Sequence, residues 1–226
     1  MTRPSRRERQ LAAIAWILPI LYFPLQLFVA AAWPRSYSFA ANTISDLGVT
    51  TCGMVQHAPG RELFVCSPRH LVMNIGFVLF GIMTVAGAVL MWRASPRTRL
   101  LSIALVAIGV AGIGAILVGL APADASPRLH RAGALLRLPG VLAPLLVAWV
   151  LWPRRPLLAA FSAASAAISL AGAALFALRL SPYWVGAAER LALDPFTVWL
   201  AVLSWASLRG LDRAEDTERP GERVQP

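Results

Sequence analysis

The sequence predicts an all-α fold, a six-transmembrane-helix bundle with one long extracytoplasmic loop. Three observations carry that prediction: the chain is too apolar for water, it has six apolar stretches of membrane-spanning length, and its arginines favour alternate connections. Of its 226 residues, 58% are hydrophobic and only 14% are charged, with a mean hydropathy of +0.63. Soluble domains carry about a quarter charged residues, so this composition cannot coat a water-facing surface. The bundle is one unit over 11–208, between a basic arm at 1–10 and a polar tail at 209–226 that reads as disordered.

A spanning helix needs about 20 apolar residues at a rise of roughly 1.5 Å each. The stretches that qualify are Leu11–Trp33, Leu71–Trp92, Leu100–Leu120, Ala132–Trp152, Leu157–Leu178 and Ala187–Leu208. Trp33, Trp92 and Trp152 fall at span ends, as an interfacial aromatic belt requires. The first stretch follows a basic arm and ends in Ala30, Ala31 and Ala32, like a signal peptide. It is longer than the roughly 7–15 residues of a signal core, so it reads as an uncleaved span. The third span repeats small residues at Ala107, Ala111, Ala115 and Gly119. The fifth does so at Ala159, Ala163, Ala167, Ala171 and Ala174, and such faces allow close helix contact. Ser181-Pro182-Tyr183-Trp184 reads as an interfacial turn. Asp194-Pro195 then predicts a kink or a restart in the sixth span.

The formal net charge is +10, and all 21 basic residues are arginine. They lie in short clusters between apolar runs, which is a topology signal and not a nucleic-acid-binding patch. Thirteen fall in the N-terminal arm, the second and fourth connections and the tail; seven fall on the other side. The positive-inside rule therefore places both termini in the cytoplasm of a cell-membrane protein, with the loop 34–69 outside. Cys52 and Cys66 both lie in that loop. The outside is oxidising, so a Cys52–Cys66 disulfide is the preferred reading over two free thiols. Neither cysteine belongs to a CxxC pair, and no metal or cofactor is assigned.

Polar groups in spans are costly and each needs an account. His70 opens span two with Asn74 at i+4 on the same face. His130 stands near the start of span four, with Arg137 seven residues on and roughly 10 Å deeper. Arg137 either faces a polar cavity or a carboxylate, with Asp46, Asp124 and Glu189 as the candidates, or snorkels to the interface. The loop carries Asn42-Thr43-Ile44-Ser45-Asp46-Leu47-Gly48, which are turn and capping residues as much as chemical ones. Ser45, Asp46, His70 and His130 are the catalytic candidates; Asn42, Asn74, Arg137 and Glu189 are the binding candidates. There is no HExxH and no GxSxG.

Several of these strings resemble the bacterial membrane family catalogued as domain of unknown function 998. They are Asn42–Gly48, Pro68-Arg69-His70 with Asn74, and Gly112-Ile113-Gly114-Ala115-Ile116-Leu117-Val118-Gly119-Leu120-Ala121-Pro122. His130 and Gly186-Ala187-Ala188-Glu189-Arg190 complete the set. Together they cover roughly residues 11–208, and the Cys52/Cys66 loop looks like a local elaboration. The Ile-Ser-Asp-x-Gly string is also similar to that of eukaryotic DRAM- and FRAG-type six-span proteins, some of them linked to lipid or GPI-anchor remodelling. The resemblance implies a six-span fold and transfers no reaction.

Three functions compete. The first is binding or handling of a membrane lipid or other anionic amphiphile in an outward-facing polar pocket, since arginine suits phosphate. The second is a membrane-embedded lipid hydrolase or transferase using Asp46, His70 and His130, with Ser45 as nucleophile. The third is haem or electron transfer with His70 and His130 as axial ligands. A small transporter has little positive support, and a structural role beside a membrane-protein partner stays open.

Overall fold

The computed structural model describes residues 6–95, 98–179 and 181–218, with backbone alone over 210–218. Parts of the predicted arm (1–5) and tail (219–226) lie outside the described residues. Six helices are long and apolar enough to cross a membrane: Arg6–Ala30, His70–Ala94, Arg99–Leu120, Pro127–Leu151, Pro156–Leu178 and Val185–Arg209. They are numbered here as spans 1 to 6. The chain is a multi-pass bundle whose connections alternate between a termini end and a hairpin end.

Large apolar side chains face outward, as lipid contact requires; Leu157 is 88% and Trp149 76% exposed. The interior holds Trp199, Leu200, Met73 and Ile108 beside small and polar groups. Backbones approach closely where glycine permits. A Cβ on Gly114 would come within 2.6 Å of the Gly133 carbonyl oxygen, and one on Gly112 within 2.9 Å of the Gly81 oxygen. Spans 2, 3 and 4 are thereby locked side by side through backbone contact, which lipid-exposed bundles favour.

The structure refines the sequence reading of individual spans. Span 1 is interrupted: helix runs over Arg6–Ile17 and Tyr22–Ala30, with a tighter 3-10 turn over Leu18–Leu21. Pro19 lacks an N–H for the α-helical ladder and sets that break. Span 4 starts at Pro127, not Ala132, and is broken at Arg137 between helices Pro127–Leu136 and Leu138–Leu151. Pro139, at the second position of the new helix, suits a restart. Of the kink or restart expected at Asp194-Pro195, the restart does not occur: a single helix begins at Val185 and continues through Pro195.

In span 5 the predicted alanine face is packed only at its start, where Ala159 is buried. Ala167, Ala171 and Ala174 are exposed, whereas Ser162, Ser165, Ser169 and Gly172 are buried. A buried hydroxyl costs free energy unless it is hydrogen-bonded, a cost that Ser169 Oγ bears without a partner. Ser162 and Ser165 donate back to the Leu158 and Phe161 carbonyls, and Trp199 Nε1 donates to Ser162 Oγ at 2.9 Å.

The segment read as the long loop contains a structured cap. Strands β1 (Gly53–Ala58) and β2 (Arg61–Val65) pair antiparallel, with Gly53 opposite Val65 and Ala58 opposite Arg61. The turn is Pro59-Gly60, with Gly60 at φ +86, a backbone region open to glycine. Cys52 and Cys66 flank the two strands and are joined as a disulfide. The hairpin is docked by Arg179, whose Nη1 donates to the His57 carbonyl at 2.6 Å, and by Arg61 over the Tyr183 ring.

Candidate functional site

The Asn42–Gly48 string folds first as a local cap. Thr43 Oγ1 accepts from the Asp46 N–H at 3.1 Å, and Asp46 Oδ2 accepts from the Thr43 N–H at 3.0 Å. This reciprocal pair, built like a capping box, winds Ser45–Gly48 into a 3-10 turn. Asp46 Oδ2 also receives Asn42 Nδ2 at 3.3 Å and meets His57 Nε2 at 2.9 Å. Asp46 is therefore the hub of the loop. Burial by itself would lower the His57 pKa, but the hydrogen bond and charge of Asp46 outweigh it and raise the imidazole above its ordinary value.

That turn aims Ser45 into the bundle end. Ser45 Oγ lies 3.0 Å from His130 Nε2 and 3.1 Å from Glu189 Oε1. His130 Nδ1 lies 2.8 Å from the Ala121 carbonyl oxygen. A carbonyl can only accept, so Nδ1 carries a proton and Nε2 of the neutral ring points its lone pair at Ser45. Glu189 Oε2 accepts from the Ile44 N–H. The hydroxyl has one proton and two possible acceptors. Either Ser45 donates to Glu189 while a doubly protonated His130 donates to Oγ, or Ser45 donates to His130 while a protonated Glu189 donates to Oγ. The second arrangement pairs a nucleophile with its base, and the base is held in place by a third group.

The loop reaches this geometry because two further groups fasten it. Arg190 Nη1 donates to the Phe39, Asn42 and Gly186 carbonyls, and its Nη2 meets Tyr37 Oη at 2.6 Å. Asp124 Oδ2 accepts from the N–H and hydroxyl of both Thr50 and Thr51. Burial tends to raise the Asp124 pKa, and these four bonds reverse it, to about 2.

Of the residues singled out in the sequence, Asn42, Ser45, Asp46, His130 and Glu189 meet. The other three do not join them. His70 turns to its own helix start, with Nδ1 3.0 Å from the Ser67 carbonyl oxygen. Asn74 Nδ2 donates to the Gly48 carbonyl at 2.9 Å, so it clasps the turn from below. Arg137 is buried at the break in span 4, with its guanidinium 5.5 Å from the centre of the Phe80 ring. Among the described residues no ion pair joins it to a carboxylate. His130 and Arg137 lie on one continuous helical segment that ends at Arg137, where span 4 breaks. Both ring nitrogens of His130 are engaged by Ala121 and Ser45, so it is not poised with His70 as an axial haem ligand. Among the described residues no three His, Cys, Asp or Glu side chains gather to hold a metal ion.

His57 escaped the sequence reading. It lies in a strand of the loop, where neither hydropathy nor helical spacing marks it. The only available signal was the Pro59-Gly60 turn between two strand-like runs, which would have placed His57 on a hairpin.

The sequence matches the family described as protein of unknown function, DUF998, over residues 16–206. That match takes in spans 2 to 5 whole, most of spans 1 and 6, and every member of the site. No curated protein and no solved structure matches the chain. This six-span protein belongs to the DUF998 family.

Proposed function

We propose that this protein handles membrane lipid chemically, as a hydrolase or acyl transferase, at the hairpin end of its bundle, with Ser45 as nucleophile and His130 as base. The observation that supports the reading is the 3.0 Å contact between Ser45 Oγ and a ring nitrogen whose partner atom is fixed by the Ala121 carbonyl. In such a step Ser45 Oγ bonds to the carbonyl carbon of an ester while its proton passes to His130 Nε2. The proton then goes to the departing alcohol oxygen as the C–O bond breaks, leaving the acyl group on Ser45. Water or a second alcohol, giving its proton to His130, takes the acyl group and restores the serine. Lipid is the substrate class that suits a half-buried serine at the end of an apolar bundle.

The test uses protein in lipid nanodiscs and a fluorophosphonate probe. Labelling of Ser45, found by peptide mass spectrometry, is expected, together with turnover of an ester lipid. Ser45→Ala and His130→Gln are expected to lower both by about a thousandfold, with His70→Gln unaffected. No labelling and no turnover in folded wild type would overturn the reading.

A second reading, lipid binding without turnover, is favoured by a groove of about 690 Å³ between spans 1, 5 and 6. Phe23, Phe39, Phe161 and Leu191 line it, beside Arg190 and Asp194. Arg190, not Arg137, is the arginine next to that volume. Native mass spectrometry decides this reading: a co-purified lipid that Ala187→Trp excludes supports it, and identical spectra sink it.

A further inference from the structure

We infer a second binding site, at the opposite end of the bundle, for a single-chain anionic amphiphile such as a long-chain fatty acid. A cavity of about 380 Å³ opens at the termini end and is lined by all six spans and their connections. That volume lies in the range of about 300–1,000 Å³ typical of small-molecule sites, and its lining has the usual character, mostly apolar with a few polar groups. Trp16, Leu105, Ile108, Val147 and Trp199 supply apolar walls. The half-buried Arg9 and the exposed Arg155 also line it, and among the described residues no acidic side chain does. The site therefore combines apolar walls with positive charge.

Two details separate this from a chance void with snorkelling arginines. Arg9 is oriented: its Nε donates to the Ala94 carbonyl at 3.2 Å, using one of five guanidinium donors. Ser204, which lines the cavity, is 1% exposed, and its Oγ has no hydrogen-bond partner. An unmet hydroxyl in a membrane interior costs free energy, and an oxygen-bearing occupant would meet it. An acyl chain satisfies the walls, a carboxylate satisfies the arginines, and the modest volume admits one chain in preference to two. The site does not involve Ser45 or His130 and stands or falls apart from the proposed lipid chemistry.

The test is tryptophan quenching in nanodiscs by dibromostearic acid, since Trp16 and Trp199 line the cavity. The methyl ester and a brominated two-chain phosphatidylglycerol serve as comparisons. Saturable quenching by the acid is expected, at least about tenfold tighter than by the ester. Arg9→Gln/Arg155→Gln is expected to reduce the acid to the affinity of the ester, and Trp16→Phe/Trp199→Phe to abolish the saturable phase. Leu158→Trp, which fills the cavity from span 5, is expected to weaken binding at unchanged thermal stability. Equal quenching by acid and ester, equal quenching by the two-chain lipid, or no effect of the arginine pair would overturn the inference.

Discussion

Ser45 and His130 stand 85 positions apart in the chain, yet Oγ and Nε2 meet at 3.0 Å. The contact joins the loop between spans 1 and 2 to the first turn of span 4. Its chemical value rests on the Ala121 carbonyl, which holds Nδ1 and so turns the basic nitrogen toward the serine.

If that pair is reactive, its pH behaviour is distinctive. Fluorophosphonate labelling of Ser45 should rise with pH as His130 loses its proton and Nε2 becomes an acceptor. His130→Gln should flatten the profile as well as lower it. A profile unchanged in the variant would show that His130 only braces the loop.

Gly48 packs against Asn74, and a Cβ added to it would strike Asn74 Oδ1. Gly48→Ala should therefore cost about 1–3 kcal/mol, as overpacking does. Asn74→Ala opens the space but leaves the Gly48 carbonyl without its donor. The double variant should recover part of the loss from Gly48→Ala, a coupling readable in a double-mutant cycle of thermal or denaturant unfolding. Strict additivity would disprove the contact.

His57 and Asp46 make stability depend on pH in a definite direction. The folded pKa of His57 is raised, so its contribution is fully present below the unfolded value of about 6.5 and is lost as pH climbs through the folded value. Melting temperature in detergent should fall as pH rises from neutral into the mildly alkaline range, and His57→Gln should remove that slope. A slope that persists in the variant would assign it elsewhere.

Asp124 predicts a local effect. Asp124→Asn weakens the acceptor for four donors on Thr50 and Thr51. The Thr50 and Thr51 amides should exchange faster, with the spans unaffected. In wild type the same loosening should set in as pH falls below the unfolded carboxyl value of about 3.9 and grow until pH has passed through the folded value of about 2.

The disulfide links residues 14 positions apart, a loop length for which chain entropy suggests about 3 kcal/mol. Cys52→Ser/Cys66→Ser should loosen β1 and β2, seen as faster amide exchange, while the six spans keep their helicity. Loss of the spans would show that the cap governs assembly of the bundle.

The number and order of the spans were legible in the sequence because hydropathy is a local property: about twenty apolar residues cross a bilayer whatever surrounds them. The Cys52–Cys66 pairing was legible as well, because both cysteines lie in one connection. The breaks in spans 1 and 4 had local signals in Pro19 and Pro139, but proline is tolerated in spans where neighbours satisfy the freed groups, as Pro195 in span 6 shows. What only the tertiary structure decided is which polar residues meet. Ser45, His130 and Glu189 converge because helix rotation and the docking of the loop bring them together, and neither is encoded in spacing. His70, Asn74 and Arg137 had equally polar side chains in equally apolar surroundings, yet they serve a helix start, a glycine clasp and a helix break. The six spans followed from composition and length alone; the site exists only where the capped turn, held by Arg190 and Asp124, lays Ser45 against the bundle.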